Sequence, residues 1–404
     1  MGRETNRADS DSNDWQGLGD LIALGSERLI TPVKEVHQAI TDRWSRLAGP
    51  WREPARRTSR AFTTPLYESI RLTGLGVGRA VSFAASTEAG SQALRPLWQT
   101  RRGREFQAFI NGLWGDELDR LKSNLSTEMR IRNTSGGIIS PNRASIAEAF
   151  PEPGPRLVVL LHGLGDTEQV WNRKGLGDHS EDGLADILTD NSFTPLLVRY
   201  NTGLGVARNA LALANLSDEF VEAWPLAVEN ISFIGHSMGG LVARRALSAG
   251  NAAGHNWTQR TTNIVTLGSP HLGAPLEKGV HLAAAGLAQT PESRPISMFL
   301  DQRSAGIKDL RFGTVDDNSD HNSKVNYHFV AGTVTNKPDN ILGRIVGDLI
   351  VPVASATGQS KSRSVTANNV RVLGGRNHRA LLRDPVVHQE ILSWLSVNNV
   401  HLVG

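Results

Sequence analysis

Two kinds of hydrophobic spacing divide the chain. Toward the N-terminus, Leu66, Ile70, Leu72, Leu75, Val77 and Val81, and then Phe106, Phe109, Ile110, Leu113 and Leu118, recur at helical intervals. That spacing predicts several amphipathic helices, broken near Pro50, Pro54, Pro65 and Pro96 because proline lacks an N–H and clashes with the preceding turn. Residues 133–155 are polar, contain glycine and proline, and read as a linker. Beyond them the pattern changes to short continuous apolar runs at 157–161, 195–198, 231–234, 264–267, 327–330 and 370–373. Strands covered on both faces read this way, and helical patterns such as 241–247 and 386–395 lie between them. The prediction is an α/β fold: a mostly parallel sheet with helices on both faces, over residues 151–404, behind an N-terminal helical extension over 1–150. Residues 272–326 are too long for a plain connection. They carry Leu282, Ala283, Ala284, Ala285, Leu287, Ile296, Met298, Phe299 and Leu300, and are expected to form a lid or cap.

Composition removes whole classes of chemistry. With 404 residues, 39% of them hydrophobic, the chain can bury a large core, and with no cysteine it has no disulfide, thiolate nucleophile, cysteine-ligated zinc or iron–sulfur cluster. The polar start MGRETNRADSDSNDW has no apolar signal core, and no run of eighteen apolar residues occurs. A cytoplasmic location is therefore expected. The net charge of +3 is ordinary, but twelve arginines between residues 43 and 104 face only Glu53, Glu68 and Glu88. A solvated outer face explains them most simply. Peripheral contact with an anionic membrane surface is the second reading, whereas no aromatic-interleaved or helix-turn-helix pattern points to nucleic acid.

The sharpest chemical signal follows the apolar run at 231–234. There Gly235-His236-Ser237-Met238-Gly239 leads straight into the helical pattern from Leu241. Strand, G-x-S-x-G, helix describes a nucleophile elbow, in which the serine sits on a turn so tight that side chains two positions away would collide with it. An acyl-transfer site also needs two main-chain N–H groups aimed at the developing oxyanion, one from the residue after the nucleophile and one from an earlier strand-end loop. Met238 and Leu164, the latter in His162-Gly163-Leu164-Gly165-Asp166, occupy those positions.

A serine nucleophile needs a base and an acid later in the chain. His378 follows the run at 370–373 and a Gly374-Gly375 turn, and precedes the last helical pattern; it is the expected base, with His388 the alternative. Asp348, in Gly347-Asp348-Leu349-Ile350-Val351-Pro352, is the expected orienting acid. Asp339 competes with it, followed by Asp316, Asp317 and Asp320.

Five segments, LVVLLHGLGDT, FIGHSMGGLVARRAL, TLGSPHLGAP, GDLIVPVASA and the tail containing RALLRDPVV and HQEILSWL, resemble bacterial α/β-hydrolases of the lipase and GPI inositol-deacylase-like type. The resemblance spans residues 156–404 and extends to the helical segments 29–40 and 106–121, which look like the extension of a bacterial hydrolase subgroup. It implies an α/β-hydrolase fold, with Ser237 as nucleophile, Asp348 as acid and His378 as base, acting on carboxylic esters with a small-molecule or lipid acyl substrate. An acyltransferase or thioesterase with the same residues, and a non-catalytic binding protein on the same fold, remain rival readings. Gly74, Gly76 and Gly78 follow no buried strand, and Asp316, Asn318 and Asp320 lack the glycine and glutamate that a calcium loop requires. No cofactor and no metal are expected.

Overall fold

Arg156–Leu161, strand β3, is apolar along almost its whole length because both of its faces are covered. The computed structural model describes residues 101–172, 182–273, 304–312, 324–337, 340, 347–359 and 364–397. Among them β3 is joined by β1 (Arg130–Arg132), β2 (Ile138–Ile139), β4 (Thr194–Arg199), β5 (Asn230–His236), β6 (Thr261–Leu267), β7 (Asn326–Thr333) and β8 (Asn369–Gly374). The eight strands form one sheet in the order β2-β1-β4-β3-β5-β6-β7-β8. From β4 to β8 every pairing is parallel; β1 and β2 add an antiparallel edge.

Side chains alternate across the sheet, so one strand feeds two cores. Leu157, Val159 and Leu161 of β3 join Leu196, Val198, Phe233, Ile264, Tyr327 and Phe329 on one face. Val158 and Leu160 join Leu197, Ile234, Val265, Leu267 and Val330 on the other. The first face is covered by α4 (Val206–Ala223) and α5 (Met238–Ala253), whose residues Leu213, Phe220, Leu241 and Val242 are part of that core. The second is covered by α3 (Leu184–Asp190) and α8 (Pro385–Val397), which contribute Leu188, Ile391 and Leu395. The remaining helices are α1 (Arg101–Arg120), α2 (Arg143–Ala149), α6 (Ala305–Phe312) and the short α7 (Val353–Ala356).

Strand order also sets the position of the site. From β3 the chain goes to β4 on one side, then crosses to β5 on the other. The loops leaving β3 and β5 therefore diverge, and the crevice between them at the carboxyl ends of the strands is where open α/β sheets bind ligands.

The 133–155 stretch expected as a linker is in fact structured. Asn133 and Gly137 close a tight hairpin between β1 and β2, with Asn133 N–H donating to Gly137 O at 2.9 Å. The Asn142 side chain then caps α2 by accepting from Ser145 N–H. Strands of three and two residues are too short to display a period. The sheet thus begins inside the 1–150 stretch assigned to the extension. Residues 1–100 and most of the expected lid lie outside the described residues.

Of the described residues, 101–107 and 117–126 belong to one compact unit, and 108–116 with everything from 127 onward to a second. In the first, Arg120 and Glu117 form a two-pronged ion pair and the Gln107 amide donates to Leu125 O at 3.3 Å. Helix α1 is kinked at Trp114 (φ −136°, ψ 21°). Among the described residues no helix is long and apolar enough to cross a membrane.

Phe233 is fully buried in the middle of the sheet, with its ring centroid 5.4 Å from that of Trp257. Phe233→Ala should lower unfolding free energy by about 3–5 kcal/mol, the usual cost of a large core cavity. Chemical denaturation checks this; an unchanged midpoint contradicts the packing described.

Candidate active site

Strand β5 is buried from Asn230 to His236 and ends in Ser237, whose backbone lies at φ 53° and ψ −121°. A non-glycine residue with positive φ is strained, and its neighbours show why the strain is held. A Cβ on Gly235 would come within 2.2 Å of Gly240 N, and one on Gly239 within 2.4 Å of Leu161 O. Helix α5 can start directly behind the serine only because both positions lack a side chain. Ser237 N–H donates to Leu267 O at 2.8 Å, which ties the turn to the end of β6.

Asp348 is separated from β7 by a long connection, but that connection returns to the strand end. Val334 N–H donates to Gly347 O at 3.0 Å, and the Asp348 Cβ lies 3.2 Å from where a Cβ on Gly332 would be. Gly347 takes φ 62°, and a side chain there would meet Val351 O at 1.9 Å. The fully buried Asp348 carboxylate accepts from Ile350 N–H and Val351 N–H through Oδ1, at 3.0 and 2.8 Å. Its Oδ2 accepts from His378 Nδ1 at 2.7 Å. The His378 N–H also donates to Asp348 O at 3.0 Å, so backbone and ring are both held by the same residue.

His378 and Ser237 have two neighbours in common. The His378 ring lies 4.6 Å, centroid to centroid, from that of His236, the residue preceding the serine. Gly268, which follows the Leu267 carbonyl that holds Ser237, has a Cβ direction pointing at the His378 ring and at Asp348 Oδ2, 3.0 and 3.1 Å away. The loop after β3 closes the other side: a Cβ on Gly163 would lie 3.2 Å from the Ser237 Cβ. Leu164 follows in a turn closed by Asp166 N–H donating to Gly163 O at 3.2 Å, and Met238 is the buried first residue of α5.

The competing histidine falls elsewhere. His388 bonds through Nε2 to Leu382 O at 3.0 Å in α8. His271, after β6, is no part of this pairing: it lies between Arg244, which donates to its Nδ1 at 3.1 Å, and Thr266, and stacks on Phe329. Asp339, Asp316, Asp317 and Asp320 lie outside the described residues. Among the described residues no three His, Asp or Glu side chains converge as a metal ion would need.

Several supporting residues have no signature in the sequence. Arg379 donates to Asp166 Oδ1 at 2.8 Å and so links the loop of His378 to the loop after β3. Burial raises the Asp166 pKa, opposed by Arg379 and then His378. Behind this loop, Arg199 and the fully buried Glu168 form a two-pronged pair at 2.5 and 2.6 Å. Burial alone would raise the Glu168 pKa, but the charge and hydrogen bonds of Arg199 bring it below the ordinary value. Thr202 Oγ1 accepts Gly165 N–H at 3.0 Å, and the backbone of Gly112 in α1 approaches Gly165 so closely that a Cβ would stand at 3.2 Å. The pairing of Gly112 with Gly115 in the sequence is the one signal that could have pointed to this close approach.

The parallel sheet, its strand order and the serine elbow at the end of β5 define an α/β-hydrolase fold. Residues 219–337 match the family model described as the PGAP1-like alpha/beta domain. No curated protein sequence matches the chain. Among solved structures, the Bacillus licheniformis lipase BlEst2 is 19% identical, with 60% of this chain and 93% of that chain covered and a TM-score of 0.43. Naproxen esterase from Bacillus subtilis is 16% identical, covering 61% and 85% at a TM-score of 0.38. A Pyrococcus furiosus esterase, also 16% identical, covers 60% and 82% at 0.38.

Four buried imidazoles govern the response to acid. Burial pushes His162 and His328 down from 6.5 to about 4, and holds His236 and His271 well below 6.5. Each is depressed in the folded state, so below pH 6.5 the unfolded chain binds protons that the folded chain does not. Stability should therefore be full above pH 6.5 and fall toward pH 4, with the raised Asp166 acting in the opposite direction. Denaturation midpoints measured across that range check this; a flat profile contradicts it.

Proposed function

We propose that this protein is a serine hydrolase that cleaves carboxylic esters, of the lipase and esterase type. The observation that carries the reading is the Asp348–His378 pair, at 2.7 Å, beside a serine held in strained backbone at the strand end. Ser237 Oγ attacks the acyl carbonyl carbon as its proton passes to His378 Nε2. The carbonyl oxygen becomes an oxyanion that accepts from the main-chain N–H groups of Leu164 and Met238. Collapse of this intermediate breaks the bond to the alkoxy oxygen, which takes the proton from His378 and leaves as an alcohol. The acyl group remains on Ser237. A water, deprotonated by His378, then attacks the acyl carbon and releases the carboxylic acid, and the proton returns to Ser237.

Asp348 has a supporting part in each step. Because its Oδ2 accepts from Nδ1, the imidazole keeps Nε2 as the basic nitrogen, and the imidazolium formed during attack has a carboxylate beside it. The two main-chain N–H groups on Oδ1 stop the carboxylate from rotating away.

Ser237→Ala should reduce turnover of p-nitrophenyl esters by on the order of 10³-fold or more while leaving the fold intact. A fluorophosphonate probe should label the parent protein and not the variant. A variant that retains near-full turnover, or a folded parent that escapes the probe, overturns this reading.

A further inference from the structure

Of the polar atoms of His378, three are already engaged: N–H with Asp348 O, Nδ1 with Asp348 Oδ2, and the carbonyl oxygen with His236 Nε2 at 3.1 Å. The last of these bonds comes from the strand that carries the nucleophile. A carbonyl can only accept, so Nε2 of His236 must carry the hydrogen. That leaves Nδ1 of His236 as a bare acceptor, and it has no hydrogen-bond partner although it is buried. An unpaired buried acceptor costs free energy, and an apolar residue at 236 would avoid that cost. The ring's one hydrogen bond is therefore the contribution to weigh against it.

We infer that His236 is a positioning residue for the reaction proposed above, holding the backbone of His378 in register with Ser237 through its Nε2–H. The two rings are tilted at 47° with centroids 4.6 Å apart, so His236 fixes the imidazole by contact as well as by the hydrogen bond. The contact is short in sequence at one end and long at the other: His236 adjoins Ser237, whereas His378 arrives from 142 residues away. A single side chain thus ties the strand end that carries the nucleophile to the backbone of the base. The surroundings keep it in place, because a Cβ on Gly163 would come within 3.0 Å of His236 Nδ1. Burial and the neighbouring His378 hold His236 neutral, so that no positive charge competes with the imidazolium formed at His378.

The inference rests on the serine-hydrolase reading, and a pair of variants of nearly equal shape tests it separately. Glutamine can place an amide N–H where Nε2 stands; methionine cannot. His236→Met should lower kcat on a soluble p-nitrophenyl ester by roughly ten- to a hundredfold, the scale of a small misplacement of a reacting group, with KM within about twofold. His236→Gln should recover most of that loss. The far-downfield proton of the His378–Asp348 bond, read by NMR, should shift or broaden in His236→Met and hold its position in His236→Gln. Wild-type kcat in His236→Met, or equal losses in two folded variants, overturns the inference while leaving the Ser237→Ala result standing. If His236→Met does not fold, a more than tenfold loss of kcat in folded His236→Gln overturns it by itself.

Discussion

A serine held at φ 53° where a buried strand meets a helix imposes the geometry on which the rest of this molecule depends. Left-handed backbone at a residue with a side chain is unfavourable by about 1–3 kcal/mol, and such a residue persists only where its surroundings over-determine it. Here they do so from three directions. The strand before the serine is buried at every position, the helix after it has a buried first turn, and the main chain at the end of β6 accepts the serine's own N–H. The close approach of β5 to α5 leaves no room for a Cβ at 235 or 239. The parallel sheet supplies the rigidity, since β5 is flanked by β3 on one side and β6 on the other.

The remaining polar groups of the site are organised around the same sheet edge by main-chain bonds as well as by the Asp348–His378 side-chain bond. Val334 to Gly347 brings a long excursion back to the end of β7, and Asp348 to His378 joins two loops that the sheet alone would leave independent. Every such bond replaces a conformational freedom that a loop would otherwise keep. Between the loop of His378 and the loop after β3 stands the ion pair Arg379–Asp166. Its arginine side chain is 58% exposed, so its contribution to stability is screened by solvent and small.

Electrostatically the site is arranged around neutral rings. His162 stacks on Tyr200 at 4.5 Å while the Tyr200 hydroxyl donates to His162 O. His236 sits against His378, and neither His162 nor His236 bears charge at neutral pH, because burial disfavours the imidazolium. The charged groups buried deepest behind the loop after β3, Glu168 and Arg199, cancel each other through two parallel hydrogen bonds. A low-dielectric setting with little net charge strengthens any dipole or partial charge that acts within it.

Much of the fold was legible because the inner parallel strands β3 to β7 are buried on both faces, which makes runs such as 157–161 and 231–234 continuous and apolar, whereas β8 is exposed to half-buried. The elbow was legible because steric exclusion at 235 and 239 leaves glycine as the only residue that fits. His378 and Asp348 could be ranked by chain order, but the sequence left His388 and Asp339 open, since spacing along a chain says little about where a loop returns. The edge hairpin at 130–139 was missed because two- and three-residue strands show no period. The contacts of His236 with His378, Arg379 with Asp166, and Gly112 with Gly165 join residues far apart in the chain and carry no local pattern. Local sterics and burial are written into neighbouring residues and can be read from them; the meeting of side chains from separate strand ends is decided only when the sheet has set the strand order.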